Sequence, residues 1–264
     1  MTAQPSAAFS FIDPDPAEAD PLQGELALLD HAALRGPVAQ LWEAPLSLVI
    51  PRSYLRHPGI EAARADFAAR GCPVWLRMSG GGLVPQGPGI LNVSLAYAVP
   101  KGAATWMEPV YIHLCDVLAD GMRQLGVETH WQAVEGSFCD GRYNLAWGPG
   151  DAARKIAGTA QYWRRAPAAA QSADGQRHLV LAHAILLVSA DPVEINARAN
   201  AFEAAIGSGR HYDPAKVVSV REAAGIEDDP QSAPQLTPRV AEAIRAALAR
   251  TPPPGYPVSS LSAP

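Results

Sequence analysis

The chain has 264 residues, 48% of them hydrophobic, enough for one large domain with an appendage and a substantial buried core. Its formal charge of -5 is spread rather than blocked, and no basic stripe alternates with aromatics, so nucleic acid is excluded as an expected partner. No segment approaches the ~20 uninterrupted apolar residues of a membrane span, and no basic region opens the chain, which predicts a cytoplasmic protein with no membrane partner.

Residues 1–21 and the Pro-rich stretch 251–264 lack core-forming periodicity and read as an N-terminal arm and a C-terminal tail around one domain, 22–250. Within that domain, "DPLQGELALLDHAAL" has helical apolar spacing after an Asp-Pro start, and "VAQLWEAPLSLVI" reads as two extended segments broken near Pro45. A helix over "PGIEAARADFAARG" ends at Gly71. The strand "PVWLR" then enters the glycine loop "MSGGGLVPQGPG", and a second strand, "ILNVSLAYAV", leaves it. "MEPVYIHLCDVLADGMRQLG" repeats apolar residues at helical spacing and places Cys115 near the apolar face. Extended pieces follow at "ETHWQAV", "YNLAW", "KIAGTAQYW" and "HLVLAHAILLV", and helices at "VEINARANAFEAAI" and "TPRVAEAIRAALAR". Strands clustered between helices predict an α+β fold with a mixed or largely antiparallel sheet, and no internal repeat is present.

The residues that carry chemistry are few. Gly80, Gly81 and Gly82 let backbone N–H groups approach an oxygen-rich ligand, although a plain mobile turn has the same composition. Arg77 adds a cation at the loop's mouth. The pattern is neither a P-loop nor a dinucleotide fingerprint, and HExxH and GxSxG are absent, so no metal site or serine triad is expected. The three cysteines fit neither a disulfide framework nor a CxxC zinc site and are expected as free thiols. Cys139 lies in "GSFCDG", between turn formers, where it is either a displayed nucleophile or a bystander thiol; Cys72 and Cys115 fit the bystander role better. Lys155, followed by the small residues of "IAGTA", either polarises a carbonyl and raises the thiolate fraction of Cys139 or is a solvated lysine on an edge strand. His183, flanked by "VLA" and "AILLV", reads as a core-strand histidine, and His113, His130 and His178 lack a partner pattern.

In order, "RMSGGGLVPQGPGILNVSL", "EGSFCDGRYNLAW" and "RKIAGTAQYWRR" resemble the signature blocks of the biotin/lipoate protein ligase and octanoyltransferase superfamily. The likeness covers roughly residues 22 to 225 and is strongest to the branch of octanoyl-glycine cleavage H protein amidotransferases, whose nucleophilic cysteine sits in a loop like "GSFCDGRYNL". The resemblance implies a seven-stranded, largely antiparallel or mixed sheet with flanking helices. It puts Cys139 in the place of the nucleophile and Lys155 in that of the active-site lysine. Arg77, Ser79, Gly80, Gly81, Gly82, Asn92, Gly158 and Thr159 take substrate-binding places. The sulfur of Cys139 and the ammonium of Lys155 are expected to face one cavity touching the glycine loop, with a tunnel for the acyl chain lined by strand residues such as Leu91 and Val93.

Departures bear on the cofactor. Leu76-Arg77 replaces a double arginine, Pro85-Gln86 stands where ligases carry a histidine, and Asn144 replaces an acid that serves nucleotide and magnesium. The expected activity is therefore octanoyl or lipoyl transfer through a cysteine thioester with no cofactor and no metal. ATP-dependent lipoate ligation with ATP and Mg, and a non-catalytic lipoate-binding role, are the alternatives. The expected partners are an acyl donor protein and lipoyl-domain acceptors, either glycine cleavage H protein or the lipoyl domains of 2-oxoacid dehydrogenases.

Overall fold

The computed structural model describes residues 8–15, 20–100, 102–168, 177–227 and 233–256. The first helix, α1 (Pro21–Arg35), starts where the Asp20 carboxylate accepts from Leu22 N–H, and Gly36 at φ 97° ends it. Strands β2 (Val38–Glu43) and β3 (Ser47–Pro51) flank the break at Pro45, and α2 (Ile60–Ala69) follows. β4 (Val74–Arg77) leads into the glycine loop, and β6 (Ile90–Pro100) leaves it. The loop itself holds a further strand, β5 (Val84–Gln86), too short to show alternation. Helix α3 (Ala103–Arg123) precedes β7, which is only His130–Trp131 rather than the whole of "ETHWQAV". β8 (Leu145–Trp147), β9 (Arg154–Arg165) and β10 (Arg177–Leu187) complete the strands after it. α4 (Pro192–Ala205), the short α5 (Val220–Ala223) and α6 (Ala233–Arg250) follow.

A two-residue strand, β1 (Ser10–Phe11), pairs in parallel with β2 and brings Phe9 into the core, so part of the expected N-terminal arm belongs to the sheet. The seven-stranded sheet runs β1-β2-β6-β10-β9-β8-β7, antiparallel everywhere except at β1, and a second sheet runs β4-β3-β5. The fold is the expected α+β class with a mixed seven-stranded sheet; the small second sheet is an addition.

Strand parity decides which residues reach the site. Leu91, Val93, Leu95, Tyr97 and Val99 of β6 pack in one cluster with α3 and α6. The intervening Asn92 and Ser94 therefore face the opposite side, in register with Ile185 and His183 of β10, which pair in turn with Gly158 and Ala160 of β9. Leu91 and Val93 consequently lie in the core under the sheet and line no acyl tunnel. Asn92, between them, faces the other side and lines a cavity there.

Candidate active site

The loop from β7 to β8 carries Cys139. Phe138 anchors it in the core beside Tyr212, and the Ser137 hydroxyl donates to Val134 C=O at 2.7 Å. Among the described residues Cys139 is the one non-glycine with positive φ, at 49°, a conformation that costs roughly 1–2 kcal/mol and must be held by its surroundings. Two side chains hold it. Asn144 Nδ2 donates to Cys139 C=O at 2.9 Å, and Lys155 Nζ donates to the same oxygen at 2.9 Å and also to Phe138 C=O.

A β-bulge puts Lys155 there. β8 pairs Leu145 with Ala157 but Ala146 with Lys155, so Ile156 is an extra residue. Ile156 and Ala157 both enter the cluster beneath the sheet, and Lys155 is thereby turned onto the face of Gly158. A Cβ at Gly158 would stand 2.8 Å from Lys155 Nζ and 2.9 Å from its Cε; the glycine makes room for the lysine stem. Lys155 is 0% exposed, and burial pushes its ammonium down to about 8 despite the attraction of Cys139 and Asp140.

The glycine loop meets the cysteine from the other side. Arg77, buried, donates to Val49, Gly80 and Gly82 carbonyls and so fastens the loop rather than guarding its mouth. Gly82 N–H donates to Cys139 Sγ at 3.4 Å. Gly81 has φ 103°, and a Cβ on it would lie 2.7 Å from Sγ, so only glycine permits this approach. Burial opposes the thiolate of Cys139, but the Lys155 ammonium, the Arg77 guanidinium and the Gly82 N–H outweigh it and hold the thiol below its ordinary value. Burial acts without such help on Cys115 and pushes it up to about 12.

Two spaces meet at Cys139. One is a small, largely apolar cavity lined by Leu22, Trp42, Val49, Val84, Ala184 and Ile185, with Asn92 and Gly158 on its sheet wall and Arg77 and Cys139 at its boundary. The other is an open cleft lined by Gly80, Gly81, Gly82, Tyr111, Asp140 and Tyr212. Cys139, Thr159 and Ala160 belong to both. Polar groups on the cavity wall are paired with one another. Gln86 and Asn92 exchange hydrogen bonds of 2.8 and 2.9 Å. Glu25 Oε1 lies 2.7 Å from His183 Nδ1 and accepts from Ser94 Oγ at 2.7 Å, while His183 Nε2 lies 2.8 Å from Ser79 Oγ. Such pairing would let an apolar group occupy the cavity without stranding a polar atom.

The model of the lipoyl protein ligase A/B catalytic domain matches residues 17–245. This chain belongs to that family. Membership makes it an enzyme of the lipoate-ligase and octanoyltransferase kind, whose chemistry at family level is lipoyl or octanoyl transfer onto lipoyl domains. An uncharacterized protein of Cupriavidus necator is 69% identical over 254 residues, covering 93% of this chain and 99% of its own. An octanoyl-GcvH:protein N-octanoyltransferase of Kyrpidia tusciae is 38% identical over 160 residues, 59% of this chain, and the match spans about half, 51%, of that transferase. The crystal structure of a lipoate-protein ligase A bound with ATP shares the fold at a TM-score of 0.62 and 14% identity, over 94% of this chain and 85% of that one.

Of the residues expected from sequence, Arg77, Asn92, Cys139, Gly158 and Thr159 meet around the apolar cavity, and Gly80, Gly81 and Gly82 join Cys139 and Thr159 in the cleft. Ser79 reaches the site through His183. Lys155 differs from expectation: its ammonium lies beneath the cysteine loop and lines neither space. His183, expected as a core histidine, is on the cavity wall with Glu25, one of the two acids of α1, which no motif in the sequence marks. Asn144 is buried against the cysteine loop. Among the described residues no three His, Cys, Asp or Glu side chains converge as metal ligands, and no described helix is long and apolar enough to cross a membrane.

Proposed function

We propose that this chain moves an octanoyl or lipoyl group onto the lysine of a lipoyl domain through a thioester at Cys139. The observation that carries this reading is the position of the sulfur, between a small apolar cavity suited to an acyl chain and a larger, more polar cleft suited to a protein-borne carbonyl or amine. The thiolate attacks the donor's acyl carbonyl, an S–C bond forms, the bond from that carbonyl to the donor breaks, and the leaving group departs with a proton taken from water in the cleft. The acceptor amine then attacks the thioester carbonyl, loses a proton to the cleft, and the S–C bond breaks to return the thiolate.

Lys155 supports this by charge, favouring the thiolate, and by holding the two carbonyls that keep Cys139 in its left-handed conformation. The Gly82 N–H and its neighbours in the glycine loop are placed to stabilise negative charge as it moves from sulfur to carbonyl oxygen, an effect typically worth ~3 kcal/mol per donor. Where ligases place an acid, Asn144 offers only a neutral amide, its Nδ2 donating to Cys139 C=O and its Oδ1 buried without a hydrogen-bond partner, and a neutral oxygen holds magnesium less well than a carboxylate, which favours the nucleotide-free route. The name of the Kyrpidia relative, a transferase acting from one protein to another, agrees with that preference.

The test is the intact mass of the protein after mixing with octanoyl-H protein. The expected result is an octanoyl adduct that hydroxylamine removes and that Cys139→Ser abolishes while Cys72→Ser and Cys115→Ser retain it. Lipoate-dependent ATP–pyrophosphate exchange that survives Cys139→Ser would overturn the reading.

A further inference from the structure

The open cleft carries charges of both signs beside the nucleophile. Glu135 and Asp140 are exposed on the cysteine loop and line it, as do exposed Arg210 and His211. Arg210 is held in place from below. Its Nη1 donates to Tyr54 Oη at 2.9 Å, and its guanidinium lies over the Tyr54 ring at 5.5 Å. The hydroxyls of Tyr54 and Tyr212 both donate to Glu203 Oε1, at 2.7 and 2.5 Å, and Glu203 is 0% exposed. The same Tyr54 oxygen accepts from Leu83 N–H at 3.1 Å, which ties this support to the glycine loop. A Cβ on Gly82 would meet Arg210 Nη1 at 3.2 Å, so the guanidinium stands against the loop that touches Cys139 Sγ. Buried tyrosines and a buried carboxylate thus fix an exposed cation in one posture, and a preorganised guanidinium fork is suited to a planar anion.

We infer that Arg210 receives a carboxylate flanking the acceptor lysine, while Glu135 and Asp140 draw in the lysine's ammonium, so that the cleft selects a lysine with an acidic neighbour. This rests on the acyl-enzyme reading above. A phosphate group is the poorer occupant, because its charge would share the cleft with two carboxylates, whereas a lysine next to an acid matches both signs.

The experiment first loads wild-type protein with octanoate from octanoyl-N-acetylcysteamine and confirms the adduct on Cys139 by mass. Absence of that adduct would be failure of the acyl-enzyme reading and is seen before any acceptor is added. Transfer is then measured from wild type and Arg210→Gln to an acceptor lipoyl domain with an aspartate or glutamate within two residues of its target lysine, and to the same domain with that acid changed to its amide. The expected result is a loss of about tenfold in kcat/KM when wild type meets the amide acceptor, and less than about twofold when Arg210→Gln does. Arg210→Glu should in turn prefer an acceptor whose acid has been changed to lysine. Losses that multiply independently, or a wild type that does not distinguish the two acceptors, would overturn the inference while leaving the thioester intact.

Discussion

Lys155 is a cation in a fully buried place, and its hydrogen bonds go to two backbone carbonyls rather than to a carboxylate. The fold bears a cost for this. Burial lowers its value from 10.5 to about 8, so between those limits the unfolded chain binds more protons than the folded one and stability rises with pH. The cost at neutral pH is about 3 kcal/mol, from roughly 1.4 kcal/mol per pH unit. Lys155→Met removes the charge and with it this slope. Denaturant unfolding should therefore show wild type gaining on the variant by up to that amount from pH 8 to 10.5, with the variant inactive throughout. A constant difference across the range would mean that the ammonium is not buried as a cation. The residue's function and its stability cost have one cause: the same burial that disfavours the ammonium concentrates its field on Cys139.

The element that makes this arrangement is the bulge in β9. Alternation alone would put Lys155 and Ala157 on one face and Ile156 and Gly158 on the other; the extra residue turns Lys155 to the side of Gly158. Nothing in "RKIAGTA" marks a bulge, which is why the burial of Lys155 was not legible from sequence. Long elements were: the apolar spacing of α1, α3 and α6 and the unbroken β6 and β10 lie where their patterns put them. Short ones were not, since the three residues of β5 and two of β7 hold no period. Cys139 and the glycine triplet were legible because turn formers and repeated glycines are local signals. Of the cavity wall, Arg77, Asn92, Gly158 and Thr159 were legible through the family resemblance, whereas Glu25 and His183 were not, because the apolar runs around them do not say which face of the sheet is turned toward the cavity. Gly158→Ala tests the element directly. Its methyl should push aside the flexible lysine stem, slow acylation of Cys139 at least tenfold and move the pH midpoint of its alkylation by iodoacetamide upward, while costing less than about 2 kcal/mol of stability. Unchanged alkylation would show that Lys155 does not govern the thiolate.

At the scale of the molecule, one chain of polar contacts ties together parts that are distant in sequence. Glu25 comes from α1, Ser94 from β6, His183 from β10 and Ser79 from the start of the glycine loop. The helix, the large sheet and the glycine loop are thereby joined at the apolar cavity, so the tie carries stability as well as shape. Burial alone would raise the Glu25 carboxyl, but the His183 imidazole, the Ser94 hydroxyl and the field of Arg77 outweigh it and hold its value below 4.5. For a carboxylate held low in the folded state, the stabilisation is fully present above the unfolded value of 4.5 and is lost as pH falls through the folded value. Below 4.5 the unfolded chain takes up a proton that the folded chain still refuses, so acid draws the equilibrium toward unfolding. Glu25→Gln keeps the shape and removes that proton. It should be the less stable protein at pH 7, where the Glu25 carboxylate accepts from Ser94 and meets His183, yet lose less stability than wild type from pH 5 to pH 3. Urea midpoints for the two proteins across that range decide it, and parallel curves would assign the acid sensitivity to carboxylates elsewhere. Convergence below pH 4.5 would instead place a titrating group of the fold in the wall of the apolar cavity, where Glu25 is already 4% exposed and its protonation loosens the tie between α1 and the sheet.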